Sequence, residues 1–170
     1  MRSFNYGKDH LTASIALGLA RKEIKGQFLP EVKHKIEESA SAVSKIAQGE
    51  KVVYGINTGF GPLCTSKISA QDTTTLQENL LKSHAVGLGK PVDLEISKLM
   101  MVLKIHALAQ GFSGIRWETI ERIHWMLEQE IIPLVPIQGS VGASGDLAPL
   151  SHLFLPLLGL GKVSYRGEII

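Results

Sequence analysis

The sequence predicts a mainly α-helical fold with short β segments. Three observations carry that expectation. Apolar residues recur at helical spacing along several long stretches. The β-branched and aromatic runs are short and are bounded by proline or glycine. The composition, 44% hydrophobic and 20% charged over 170 residues, suits a chain that buries the core of one ordinary domain.

Taken in order, Pro30 sits at a first helical position, followed by Val32, Ile36, Ala40, Val43 and Ala47, with Gly49 as a stop. Ser69 and Asp72 resemble a capping box, Asp replacing the usual Glu, and open a helix through Leu76, Leu80 and His84. Asp93 caps a helix carrying Ile96, Leu99, Leu103, His106 and Ala109 before Gly111. A further helix is expected over Trp117 to Glu130, with Ile120, Ile123, His124 and Leu127 inward. The window Leu147 to Leu160 has 14 residues and two prolines. It falls short of the roughly 20 apolar residues of a membrane span and reads as a buried core helix.

Strands are expected at Lys51 to Ile56, "KVVYGI", and within Lys162 to Ile170, a hairpin turning at Arg166-Gly167. "IIPLVP", Ile131 to Pro136, cannot continue a helix, because each proline lacks an N–H and restricts the residue before it. Irregular backbone is expected over 55–62 and 136–146. The final strand ends on Ile169 and Ile170 without a partner surface, which is read as the front part of a longer protein.

Net charge is +2, with 18 basic and 16 acidic residues and no basic stripe, which argues against a nucleic-acid partner. A single cysteine, Cys64, excludes an intrachain disulfide framework, and its expected role is a small buried hydrophobe. The N-terminus lacks an apolar signal region, so the expected location is the cytoplasm, with no membrane association. The six histidines form no metal-ligand pattern, and no phosphate-binding or dinucleotide motif is present. Neither Ser113 nor Ser144 sits in a G-x-S-x-G elbow, so serine hydrolysis is unsupported.

The stretch "PIQGSVGASGDLAPLSH", Pro136 to His152, is rich in small residues and has one acid, Asp146. Glycine at 142 and 145 permits backbone angles closed to other residues. Attack of the Gly145 amide nitrogen on the Ala143 carbonyl would close a five-membered ring over Ser144. Loss of two waters, one from the ring and one from the serine hydroxyl, would leave an exocyclic methylidene, an electrophile made from backbone. Asp146 stands beside it to move protons, and the following helix directs its positive end there. A tight loop before a helix accounts for the same residues.

"GSVGASGDLAPLSH" resembles the signature of the histidine/phenylalanine ammonia-lyase family, whose Ala-Ser-Gly forms the methylidene-imidazolone (MIO) electrophile. "YGINTGFGPL", Tyr54 to Leu63, "LQENLLKSHAVGLGKPV", Leu76 to Val92, and "ALAQGFSGIR", Ala107 to Arg116, resemble further family segments and occur in the family's order. The resemblance implies the helical N-terminal region of the ammonia-lyase fold, a fumarase/aspartase-like helical bundle. It divides the chain into a helical region with a tyrosine loop, 1–112, and the start of the central helical region with the MIO loop, 113–170.

The resemblance also implies roles. Ala143, Ser144 and Gly145 would be precursors of the MIO group, formed autocatalytically without metal or nucleotide, and Asp146 would support its formation. Tyr54 would remove the β-proton, although a phenol is a poor base at its ordinary pKa near 10. By itself Tyr54 reads as a half-buried strand tyrosine, and His84 as a partly buried helix histidine. Ser83-His84 resembles the histidine-using members, which makes L-histidine the substrate and trans-urocanate plus ammonia the products. Phenylalanine- or tyrosine-using lyases and aminomutases share the electrophile, and a non-catalytic helical assembly module is a reading of another class. His106, His124 and His152 are assigned structural roles. The family's members are homotetramers with further site residues beyond position 170, so the 170-residue chain by itself is expected to be inactive.

Overall fold

The structure, a computed structural model, describes residues 2–59, 68–142 and 145–170. The chain begins with a parallel pair of strands, β1 (Arg2–Asn5) and β2 (Ile24–Gln27), in the register Arg2↔Ile24 to Asn5↔Gln27. Helix α1 (Ala13–Ala20) makes the crossover that a parallel pair requires. Thr12 caps it by accepting from the Ile15 amide at 3.3 Å. This unit was not anticipated from sequence. α1 is short and apolar on nearly every side, so it has no amphipathic stripe to read.

α2 (Pro30–Gln48) has the expected proline start, and its C-cap is Gly49. α3 (Ala70–His84) follows, then β3 (Leu88–Pro91), α4 (Leu94–Leu108) and α5 (Trp117–Glu128). β4 (Ile132–Pro133) and β5 (Pro136–Gln138) flank the non-helical proline segment, and α6 is Leu147–Phe154. β6 (Val163–Tyr165) and β7 (Glu168–Ile169) form the expected hairpin, and β4 adds to β6 in antiparallel register. The fold is mainly α, with six α-helices among the described residues and only short strands.

The core gathers on α4. Met101, Val102 and Ile105 are fully buried, and α4 packs against α1, α5 and β4. α5 contributes Ile120, Ile123, Met126 and Leu127, and β1 with its following turn contributes Phe4 and Tyr6. Phe28 ties this core to the α5 side. Its ring lies 5.4 Å from Tyr6, 5.1 Å from Trp117 and 5.1 Å from His124, the latter two edge-to-face.

Four sequence expectations need correction; the first is Pro136–Gln138, expected to be irregular, which forms β5 because β3 supplies a partner. The expected α4 face was Ile96, Leu99, Leu103, His106 and Ala109. The helix instead buries Ser97, Met101, Val102, Ile105 and Leu108, leaving Ile96 and Leu103 exposed. "LEISKLMMVLKIHAL" is apolar nearly all round, so spacing could not choose its inner face. Residues 51–56 form no strand; they are a turn segment. The window Leu147 to Leu160 is not one buried helix. α6 stops at Phe154 and a single 3-10 turn, Leu155–Leu158, follows, because Pro156 has no N–H for the His152 carbonyl. Leu147 and Leu160 at its ends are exposed.

Burial holds the pKa values of His106, His124 and His152 below the ordinary histidine range. His106 must also be neutral at Nδ1, which accepts the Gly7 amide at 3.2 Å. These rings stay neutral in the folded chain where the unfolded chain would charge them, so the unfolded state binds more protons below about pH 6.5. The histidine contribution is therefore complete above that pH and is lost as pH falls through the depressed folded values. Glu95 and Glu130, held low mainly by hydrogen bonds from Arg21 and Lys98, extend the loss into the carboxylate range. Urea unfolding at pH 7.5 and pH 5.5 is expected to give lower stability at 5.5; equal or greater stability there contradicts the assignment.

Candidate active site

Two segments meet at the end of α3. Its start is fixed by Ser69, whose hydroxyl accepts from the Asp72 amide at 3.1 Å and donates to the Asp72 carboxylate at 2.6 Å. At its end lie the exposed Ser83 and the half-buried His84. The Leu80 carbonyl receives both side chains, His84 Nδ1 at 2.7 Å and Ser83 Oγ at 3.2 Å. A carbonyl only accepts, so Nδ1 carries the proton, and in the neutral ring Nε2 is left as an acceptor.

The chain then leaves the helix through Ala85 and enters β3, which pairs with β5 in antiparallel register, Leu88↔Gln138 and Pro91↔Pro136. β5 leads into the loop at 139–146. α3 also packs against α6, the helix that follows this loop. The His84 end of α3 is thereby attached to both sides of the predicted ring-forming loop.

Ala143 and Ser144 lie outside the described residues, as do Cys64 and positions 60–63 of the tyrosine loop. The flanks of 143–144 are described. Gly142 has φ +64°, Gly145 φ +87° and Asp146 φ +42°. Among the described residues, a Cβ on Gly142 would meet nothing within 4 Å, and one on Gly145 only Leu147 Cδ2 at 3.7 Å. The left-handed backbone itself favours glycine at both positions. Asp146 adopts that conformation without being glycine, at a cost of about 1–2 kcal/mol. The Ser140 hydroxyl donates to Asp146 Oδ1 at 2.5 Å, joining the two ends of the loop across 141–145. Asp146 is the N-cap residue of α6, yet its side chain makes no capping hydrogen bond.

Beside the loop, a groove of about 460 Å³ runs between α4 and α6, floored by Met100, Leu103 and Ala107 and walled by Ser140, Asp146 and Pro149. Tyr54 is on a separate turn, 64% exposed. This replaces the expectation of a half-buried strand tyrosine. Among the described residues there is no group of three or more His, Cys, Asp or Glu able to hold a metal ion. No helix among them is long and apolar enough to cross a membrane.

The sequence model of the aromatic amino acid lyase family matches residues 11–170. The histidine ammonia-lyase of Streptococcus gordonii is 42% identical over 166 residues, 98% of this chain and 32% of that protein. The chain therefore spans about a third of the length of the curated relatives it matches. Among solved structures, the histidine ammonia-lyase of Trypanosoma cruzi superposes with a TM-score of 0.87 at 31% identity, covering 100% of this chain and 32% of that one. The phenylalanine aminomutase of Pantoea agglomerans gives 0.88 at 27% identity, with 100% and 32% coverage. The fold is that of the ammonia-lyase and aminomutase structures.

Sequence reasoning overlooked Asn57. Its side chain is 1% exposed and pins the turn that bears Tyr54: Oδ1 accepts the Val53 amide at 2.8 Å, while Nδ2 donates to Lys51 O at 2.9 Å and Ile46 O at 3.4 Å. The available signal was an asparagine in a glycine-rich turn, where its amide substitutes for backbone partners. Asn57→Ala strands buried polar groups, so urea unfolding is expected to show a loss of roughly 1–3 kcal/mol. Asn57→Asp, which sets a carboxylate against two carbonyl oxygens, is expected to destabilise as well.

Proposed function

Because the chain belongs to the aromatic amino acid lyase family, we propose that it is the N-terminal part of a histidine ammonia-lyase, which eliminates ammonia from L-histidine to give trans-urocanate. The observation that carries this reading is the attachment of the His84 end of α3 to the loop flanking 143–144, through β3–β5 pairing and α3–α6 packing. The identity of 41–42% to histidine ammonia-lyases supports the same substrate.

Ala143, Ser144 and Gly145 supply the methylidene-imidazolone. The left-handed backbone at Gly142 and Gly145 fits a loop that must fold back on itself. Ring closure joins the Gly145 nitrogen to the Ala143 carbonyl carbon, with one water lost there and one from the Ser144 hydroxyl. Asp146, held by the Ser140 hydroxyl, exchanges protons during these losses. Once present, the group supplies an electrophilic carbon that makes departure of ammonia feasible, without metal or nucleotide.

His84 reads the substrate side chain. With Nδ1–H committed to the Leu80 carbonyl, Nε2 accepts from the imidazole N–H of histidine, and Ser83 offers a neighbouring hydroxyl. Tyr54 removes the β-proton. The site is completed by residues beyond the segment described, in a homotetramer located in the cytoplasm. The two regions, 1–112 and 113–170, belong to one catalytic unit, and the 170-residue chain by itself is inactive.

The complete natural polypeptide is expected to form urocanate from histidine and to weigh two waters less than its sequence. Ser144→Ala should restore the full mass and abolish turnover. A full-mass wild type whose activity survives Ser144→Ala would rule out the electrophile. His84→Phe should lower kcat/KM for histidine by about tenfold or more, as expected for loss of one or two hydrogen bonds to the substrate. Formation of cinnamate or coumarate in preference to urocanate would assign the site to another aromatic substrate.

A further inference from the structure

Gly87, three residues after His84, is held from two sides. Its amide donates to His152 Nε2 on α6 at 2.9 Å. An added Cβ would lie 3.0 Å from that same nitrogen and 3.1 Å from the Gln138 carbonyl oxygen. From the other direction, Gly139 approaches so closely that a Cβ there would lie 3.0 Å from Gly87 Cα. Gly139 has φ +147° and begins the loop that Ser140 and Asp146 tie together. One residue thus touches the strand entering the loop and the helix leaving it.

His152 is the polar member of this clasp. An amide N–H only donates, so Nε2 must present its lone pair, which puts the ring proton on Nδ1. An imidazolium could not accept this bond. The ring is half-buried, and that burial keeps it neutral at neutral pH. A leucine of similar bulk would fill the space. The bond to Gly87 is what packing alone does not explain.

We propose that His152 is a positioning residue: through the Gly87 amide it fixes the end of α3, and with it His84, against β5 and α6, the two elements that flank the loop. The proposal rests on the reading of His84 as the substrate-side-chain contact. His152 does not touch the reacting atoms. It sets where His84 stands relative to them, so its loss appears in substrate recognition rather than in formation of the electrophile.

The test uses the complete natural polypeptide and its variants His152→Leu, His152→Gln and His84→Phe. His152→Leu is expected to raise KM for histidine about tenfold, the equivalent of one lost hydrogen bond, with the two-water mass deficit intact. His152→Gln, whose amide oxygen can accept from Gly87, should restore KM to within about threefold of wild type. In the His84→Phe background the effect of His152→Leu should vanish, because the residue it positions is gone. Equal losses in both backgrounds, or a fall in melting temperature with KM unchanged, would reduce His152 to ordinary packing and overturn the proposal. Amide hydrogen exchange provides a readout independent of turnover. His152→Leu should speed exchange at Gly87 and within 139–142, and unchanged protection there overturns the clasp. A wild type that makes no urocanate defeats the functional reading instead, while exchange still decides whether the clasp exists.

Discussion

Met101, Val102 and Ile105 form one fully buried face of α4, and the other elements are arranged around it. α1, α5 and β4 all pack on this helix. Burying side chains of this size contributes on the order of 1.5–3 kcal/mol each, as an upper estimate. That contribution is what lets the short β1–β2 and β4–β6–β7 sheets persist, since two or three brief strands have little stability alone. The outer side of α4, with Met100, Leu103 and Ala107, forms part of the surface beside the loop. The same rod therefore supports the core and borders the candidate site.

The site is built by indirect attachment. His84 and the segments flanking 143–144 lie far apart in sequence, and the β3–β5 ladder and the α6 contact join the end of α3 to those segments. Tyr54 depends on a different anchor, the Asn57 amide, which fastens its turn to the C-terminal end of α2. Ser83 and His84 sit on the last turn of a helix, whereas Tyr54 and Asp146 sit on irregular backbone held by neighbouring elements. That division is common where a reaction needs unusual local geometry on a stiff support.

Much of this was legible in the residues. The starts of α2 and α3, the C-terminal hairpin and the non-helical proline run all have local causes, namely proline at a first helical position, a serine cap and a two-residue turn, and these causes act within a few residues. The parallel β1–β2 pair and the inner face of α4 were not legible, because both are decided by distant partners. Lys51 to Ile56 shows the reverse error. Its β-branched residues and tyrosine favour a strand, yet Asn57 satisfies the Val53 amide and Lys51 carbonyl and leaves them no ladder to join. Family segments could be recognised in the sequence, whereas the contacts that hold them in place appear only in three dimensions.

The approach of Gly139 to Gly87 also bears on how such a chain can diversify. Only Ala85 and Val86 separate His84 from the clasped glycine. An inserted residue there would shift Gly87 relative to the end of α3 and strain or break the bond to His152. Lengthening the loop on the other strand would lift Gly139 from its seat. Under the proposed reading of His84, substrate preference would change through the side chains at 83 and 84, at constant chain length. Length variation belongs to other surface turns, such as the one at Arg166-Gly167, where an added Cβ on the glycine meets nothing within 4 Å.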